Sequence, residues 1–383
     1  MPDKFAQIRE KFPITANRVY LNNAAVAPVP PFITEEAKKI FDGYSAVGGE
    51  LEGQWHRRIA EIRKLVAGLM GCGHGEIFFS KNTSEGLTFA VRGFPWREGD
   101  NALSLRGEFP AVTVPLNLLG GLGVELRIVE PRPDNTFSLD DLIAAMDSRT
   151  RMLVVSFVEF HTGTRNDMIA LGELCRKRGL FFAVDGVQGV GSLVTRVRDW
   201  QADLVSVGGH KWMIAGEGVG FCYLNRDKLE LLDPVGASWL SLDDPLTFLT
   251  GSADPAPFDK PLAPDAGRFE GGTLNIAGIH TLGKSVETML ELGPENIEAH
   301  VLGLGSLLVG GLVERGFEVL SPQSSGARSG ITCFRPRNED AKELLRRLRG
   351  KKFGLGFPCA SIRVSPHYYN NEDDIERLLA ALD

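Results

Sequence analysis

The stretch FFAVDGVQGVGSLVTRVRDWQADLVSVGGHKWM, Phe181 to Met213, holds two short apolar runs. Phe181 to Val184 is too short, and too rich in aromatic and β-branched side chains, for a helix; it ends on Asp185. Leu204 to Val207 is its counterpart and ends on Gly208, Gly209, His210 and Lys211. Short apolar runs separated by helix-capable segments are the pattern of strands buried on both faces of an α/β sheet. Ligands of such sheets sit at the carboxyl ends of the strands, where Asp185 and the His210-Lys211 pair both stand.

A lysine in that place differs from one on a solvated helix. Withdrawal from water lowers the pKa of an ammonium and makes the amine a nucleophile for a carbonyl. An aspartate at a neighbouring strand end suits a cationic ring nitrogen. A Schiff-base lysine and an acidic partner for a pyridinium are the two groups that pyridoxal phosphate asks of a protein. Taken alone, the two residues fit equally well a surface lysine and an aspartate that opens a turn.

Working outward, Ile77–Phe79, Ala102–Leu105, Glu125–Val129 and Met152–Val158 read as strands, with helices over Leu139–Met146 and Ile169–Arg178, the latter stopped by Gly179. This alternation up to Val207 predicts a mostly parallel sheet with crossover helices. Gly218–Asn225 follows the lysine too closely for a crossover and is expected to run antiparallel. After the strand at Ile77, one of Asn82, Thr83 and Ser84 can cap a helix whose first N–H groups form an anion site. Phe109-Pro110 sits just past another strand end. Asn22, Asn23, Ala24 and Ala25 are small enough to approach a ligand closely. Asp233 to Phe269, rich in Pro, Asp, Ser and Gly, reads as a long loop at the mouth of the site. From about Glu295 the chain changes to a compact α+β pattern, with helices over Glu295–Arg315 and Asp340–Arg349 and short strands at Glu318–Leu320, Ile331–Phe334 and Ser361–Val364.

Gly278, Gly283, Lys284 and Ser285 match the phosphate-loop spacing, but Ile276, Ile279, Leu282, Val286 and Met289 recur at helical spacing through the same stretch. It is therefore one amphipathic helix and no phosphate loop. The 383 residues suit a large and a small domain, and 43% hydrophobic with 24% charged residues is a globular composition. A net charge of -7 argues against nucleic acid or an anionic membrane as partner. The five cysteines form no C-x-x-C pair, which points to a reducing, cytoplasmic setting. The seven histidines lack metal-site spacing, so no metal is expected. The first residues lack the apolar core of a secretory signal, and the uncharged run Val301–Val313 is too short to span a bilayer.

YLNNAAVAP, NTSEG, EFPAV, VDGVQGVG, GGHKWM, FEGGTLN and IRVSPHYYN occur in that order along nearly the whole chain. Together they resemble the class V aminotransferase family of fold type I pyridoxal phosphate enzymes, which includes cysteine desulfurases, selenocysteine lyases, kynureninases and isopenicillin N epimerase. The resemblance implies a large domain, residues 16–275, around a mostly parallel sheet of the seven-stranded type, and a smaller α+β domain from 1–15 and 276–383. It implies pyridoxal 5'-phosphate as cofactor, a small amino acid as substrate reacting through a Cα carbanion, and a homodimer with shared sites. Lys211 matches the Schiff-base lysine, Asp185 the partner of the ring nitrogen and Gln188 that of the ring hydroxyl. Thr83, Ser84 and His210 match phosphate ligands, Phe109 the stacking ring, and Thr273 a phosphate ligand given across the dimer. Arg363 matches the clamp for the substrate carboxylate, with Asn23 and Ala24 beside the substrate.

The chain departs from the pattern in four places. Phe109 stands where desulfurases commonly stack a histidine, and Phe160 where an asparagine meets the ring hydroxyl, with His161 as a possible substitute. Gly208 replaces a phosphate-binding serine. The loop that carries the catalytic cysteine of desulfurases is missing, and Cys359 lies only four residues before Arg363. The open readings are a lyase or aminotransferase, a cysteine desulfurase or selenocysteine lyase, an epimerase, and a non-catalytic protein that binds a phosphorylated ligand.

Overall fold

The computed structural model describes residues 4–245 and 260–382. Its strands are β1 (Val19–Tyr20), β2 (Ile77–Ser80), β3 (Asn101–Leu105), β4 (Glu125–Val129), β5 (Thr150–Ser156), β6 (Phe181–Asp185), β7 (Leu204–Gly208), β8 (Gly220–Leu224), β9 (Glu318–Val319), β10 (Thr332–Arg335), β11 (Phe353–Gly354) and β12 (Ile362–Val364). Seven of them form one sheet in the order β2-β8-β7-β6-β5-β3-β4. Only β8 runs against the rest, pairing antiparallel with both β2 and β7. The antiparallel strand after the lysine is thus where the short connection put it. Every residue of β3, β6, β7 and β8 is buried, as the unbroken apolar runs require of strands covered on both faces.

Two apolar layers cover the sheet. One gathers Phe78, Leu87, Ala90 and Val91 with Val154 and Leu204. The other gathers Ile59, Ile62 and Val66 with Val155, Val184 and Val205, and takes in Ile276, Ile279, Leu282 and Val286. Those last four lie on one continuous helix, Ile276–Leu292, so the phosphate-loop look-alike is a buried helix face. A third core joins Leu304, Leu308, Phe334, Leu344, Ile362 and Ile375 of the C-terminal lobe to Val19 and Leu21. β1 pairs in parallel with β11, and Asn22 bridges to Ser365. Packing therefore sets Val19–Leu21 with the C-terminal lobe and Ile276–Leu292 with the large one, either side of the lobe boundary expected at residue 275. The helix Pro294–Glu314 is long and apolar enough by itself to cross a membrane, yet Ile297, Val301, Leu304, Leu308 and Leu312 are buried in the protein.

Residues 246–259 of the expected mouth loop lie outside the described residues. Its flanks hold short 3-10 turns at Trp239–Ser241 and Ala266–Phe269.

The helix Thr83–Gly93 reaches the sheet through Gly86. A Cβ there would overlap Cys222 Sγ and Ser206 Oγ. Ser206 Oγ also donates to Thr83 O at 3.0 Å, which pins the start of the helix to β7. Gly86→Ala should therefore lift the helix from the sheet, at an overpacking cost of about 1–3 kcal/mol. The expected result is a lower thermal midpoint of the apoprotein together with weaker cofactor binding. An unchanged midpoint would show that the contact yields without strain.

Candidate active site

Because β2, β3, β5, β6 and β7 run the same way, their carboxyl ends share one edge of the sheet. The segments that leave those ends carry Asn82 to Ser84, Phe109, Phe160, Gln188 and the His210-Lys211 pair. All of them line one cavity of about 510 Å³, joined by Asp185, Asn22, Ala24 and Ala25. Arg349, Gly356, Phe357, Pro358 and Arg363 of the C-terminal lobe close its other wall.

Lys211 is the centre of this cavity. Burial pulls its amine down to about 8, against an opposing pull from Asp185 and with a smaller push from Arg363. Among the described residues the ammonium has no hydrogen-bond or ion-pair partner; its Nζ lies 5.4 Å from the centre of the Phe109 ring. Asp185 is 2% exposed. Burial raises its carboxyl to about 6, opposed by the Val187 N–H and by Lys211. Oδ1 accepts that N–H at 2.9 Å, and no other hydrogen bond from the described residues reaches the carboxylate. An acid half-supplied with donors is a suitable counter-ion for a ring N–H⁺.

The Thr83–Gly93 helix begins with Asn82 as its cap, Oδ1 accepting Glu85 N–H at 2.9 Å. The cap spends that N–H but leaves those of Thr83 and Ser84 without an intrahelical partner. The buried Thr83 Oγ1 has no hydrogen-bond partner among the described residues. A Cβ on Gly208 would come within 3.0 Å of that oxygen and 3.2 Å of His210 Nδ1. The missing serine therefore leaves a hollow between a free hydroxyl, a ring nitrogen and free N–H groups, which suits a phosphate. Burial, and then Lys211, hold His210 toward its neutral form. The exposed Phe109 packs edge-on to Phe160, centroids 5.3 Å apart.

Arg363 is 6% exposed. Nη1 donates to Phe160 O at 2.8 Å, Nε is buried without a partner, and no carboxylate among the described residues pairs with it. A buried guanidinium in that state suits an anion from outside.

Asn23 and Gln188 are placed differently from expectation, and Thr273 and His161 lie outside the wall of this cavity. Asn23 does not face the cavity. It is fully buried, giving its amide to Ser365 O at 2.8 Å and accepting the Tyr369 hydroxyl at 2.9 Å. Its neighbour Asn22 lines the cavity instead, with an Oδ1 that has no partner among the described residues, because the chain turns at Asn23–Ala25, closed by Ala25 N–H on Asn22 O, and Asn23 is spent on Ser365 and Tyr369. Gln188 lines the cavity, but its amide donates to Ala24 O at 3.0 Å and accepts from Trp212 Nε1 at 3.0 Å, so part of its capacity serves the protein. Thr273 is exposed and lines a second cavity of about 740 Å³, which shares Asn82 with the first. His161 packs against Gly107, with an unpartnered Nδ1, and is not part of the cavity wall.

Sequence reasoning also passed over two acids behind the site. Glu108 accepts Ser156 N–H at 2.6 Å and its hydroxyl at 2.5 Å. Glu159 accepts from Asn166 at 2.9 Å. Burial raises both, Glu159 to about 8, which favours their neutral forms and leaves Asp185 as the carboxylate on the cavity wall. Among the described residues no group of acids, histidines or cysteines could hold a metal.

Comparison with known proteins agrees with this geometry. The family model described as aminotransferase class-V matches residues 19–378. A probable cysteine desulfurase of Methanothermobacter thermautotrophicus is 28% identical over 98% of this chain and 96% of its own length. The apo structure of a cysteine desulfurase from Thermococcus onnurineus NA1 superposes with a TM-score of 0.88 at 23% identity, covering 98% of this chain and 96% of that one. A lysine-to-alanine mutant of C-DES, with glycine covalently linked to its PLP cofactor, superposes with a TM-score of 0.90 at 22% identity over 100% and 99% of the two chains. C-DES is described elsewhere as a cystine C-S lyase, solved with its product cysteine persulfide. With a family match that spans both lobes and a cavity fitted to a phosphorylated pyridine, the chain belongs to the class V aminotransferase family and is a pyridoxal phosphate enzyme of fold type I.

Proposed function

We propose that the enzyme is a lyase that removes the β-substituent of a small amino acid without carrying it on a thiol of its own. The observation behind this reading is the cavity wall. It brings together Lys211, Asp185 and Arg363, and no cysteine among the described residues lines it. Cys72, Cys175, Cys222 and Cys333 are half-buried or buried elsewhere.

When bound, pyridoxal phosphate supplies a ring that accepts negative charge from the substrate Cα. Thr83, Ser84 and His210 would hold its phosphate, Asp185 its ring nitrogen, Phe109 its face, and Gln188 its hydroxyl. Arg363 binds the α-carboxylate and so fixes the orientation of the Cα–H bond. The Lys211 amine binds the cofactor and takes the Cα proton; loss of the β-substituent with its bonding electrons follows. Water then converts what remains to pyruvate and ammonia. Thr273 stands apart from its own cavity, which accords with a homodimer in which each chain completes its partner's site; a cofactor-loaded monomer in sedimentation would refute that arrangement.

Cys359 supports a second reading. It is exposed and follows Pro358, which lines the cavity. A desulfurase that moved sulfur onto this thiol would release alanine instead of pyruvate. With cysteine or cystine as substrate, pyruvate and ammonia are expected in equal amounts, and Cys359→Ser should keep most of the turnover. Alanine as the main product, lost in Cys359→Ser, would establish sulfur transfer.

Arg363→Ala should raise KM for amino acids by about tenfold or more, as a charge-assisted pair is lost. The cofactor's visible band should stay unchanged. An unaltered KM would remove Arg363 from the substrate site.

The lowered amine makes a pH prediction. An ordinary lysine, near 10.5, is almost wholly charged at neutral pH, whereas one near 8 is neutral in about a tenth of molecules at pH 7. The rate at which apoprotein captures pyridoxal phosphate should rise with pH and level off just above 8. Arg363→Ala removes a positive neighbour and should move that midpoint upward. A rate still climbing beyond pH 9.5 in the wild type would mean that Lys211 is not desolvated.

A further inference from the structure

The C-terminal wall of the cavity carries a second arginine. Arg349 lies in the last turn of the helix Ala341–Gly350 and lines the cavity with Phe357, Pro358 and Arg363. Its side chain is exposed, toward the outer part of the wall. Nη2 donates to Leu355 O at 3.0 Å, which braces the guanidinium against the segment leading to Gly356. Gly356 itself bridges to Arg363, so both arginines are fixed to the same short piece of backbone.

The neighbouring arginines of this helix behave differently. Arg346 pairs with Glu343, and Arg347 pairs with Glu339. Arg349, the one that borders the cavity, has no carboxylate partner among the described residues. The charge of the cavity wall is correspondingly one-sided. Arg349, Arg363 and Lys211 are basic, and Asp185 is the only acid. Asp185 is committed to the deep end, beside Lys211. Arg363 takes one carboxylate, and a second guanidinium on the same wall is left over. The same wall carries the apolar Ala24, Phe160, Phe357 and Pro358, with Asn22 as a neutral polar neighbour of Arg363. Such a wall suits a short aliphatic or thioether chain.

We propose that Arg349 reads a second carboxylate, carried on the departing β-substituent of the substrate. The preferred substrates are then amino acids with an anionic group at the far end, such as S-linked cysteine conjugates whose sulfur bears a carboxyalkyl chain. This rests on the lyase reading for the word departing; the recognition of a distal anion does not depend on it. A guanidinium this open to water is partly screened, so the preference is modest.

The test uses S-carboxymethyl-L-cysteine and its neutral counterpart S-carbamoylmethyl-L-cysteine, which differ in one charge and little in shape. Affinity is read on the holoenzyme from the change in the cofactor's visible band, and pyruvate is measured separately. The wild type should bind the carboxylate about five- to tenfold more tightly than the amide. Arg349→Gln keeps a donor for Leu355 O but removes the charge. It should abolish the preference while leaving affinity for the amide within about twofold, and Arg349→Lys should restore part of it. Equal affinities in the wild type, no spectral response to either compound, or a preference that survives Arg349→Gln would overturn the proposal. A charge preference that disappears in Arg349→Gln without pyruvate from either compound would keep Arg349 in its role and reject the lyase reading alone.

Discussion

A dry ammonium is the constraint on which this structure turns. Lys211 must spend time as a neutral amine to bind an aldehyde, and water would hold it charged. The protein withdraws it from water by burial, with the Phe109 ring 5.4 Å from Nζ, and places Asp185 where it moderates the effect without forming a contact pair. A close ion pair would have restored the charge and silenced the amine. The same exclusion of water leaves Arg363 short of partners and pushes Asp185 upward. Strain of this kind, distributed over three titratable groups, is relieved when ligands of opposite charge arrive.

The sheet makes such a cluster possible. With one reversed strand among seven, six strands end on the same edge, and the loops that leave them can be varied without disturbing the buried runs beneath. Gly208 leaves space beside Thr83, and the Phe160 ring packs on Phe109. On the C-terminal wall, no cysteine among the described residues lines the cavity, and Arg349 borders it.

The strands and the longer helices were legible because buried apolar runs and 3.6-residue periodicity are local signals. Lys211, Asp185 and Arg363 were legible for a related reason: each is a charged residue at the end of an apolar run. What the sequence withheld depends on register and on distant contacts. Whether Asn22 or Asn23 faces the cavity follows from the pairing of that segment with Ser365 and Gly354, which nothing local determines. The two-residue strand Phe353–Gly354 exists only because Val19–Tyr20 lies beside it. The helix Pro110–Asn117 contains Pro115 at its sixth position, past the first turn where proline is tolerated, so local rules argue against this helix. Glu108 and Glu159 look like surface acids until the fold buries them.

The parallel pairing of Val19 with Phe353 also orders events in time. A ribosome releases the first strand long before its partner exists, so Val19 and Leu21 must wait, unpaired and apolar, while the large lobe forms. The wall built from Asn22 to Ala25 cannot settle until Ser365 is available to hold it. The nascent chain thus passes most of its synthesis with an open, incomplete pocket around Lys211. Closure of the chain's two ends upon each other is what finally shields the amine, so a truncated or stalled product would have no means to keep the cofactor.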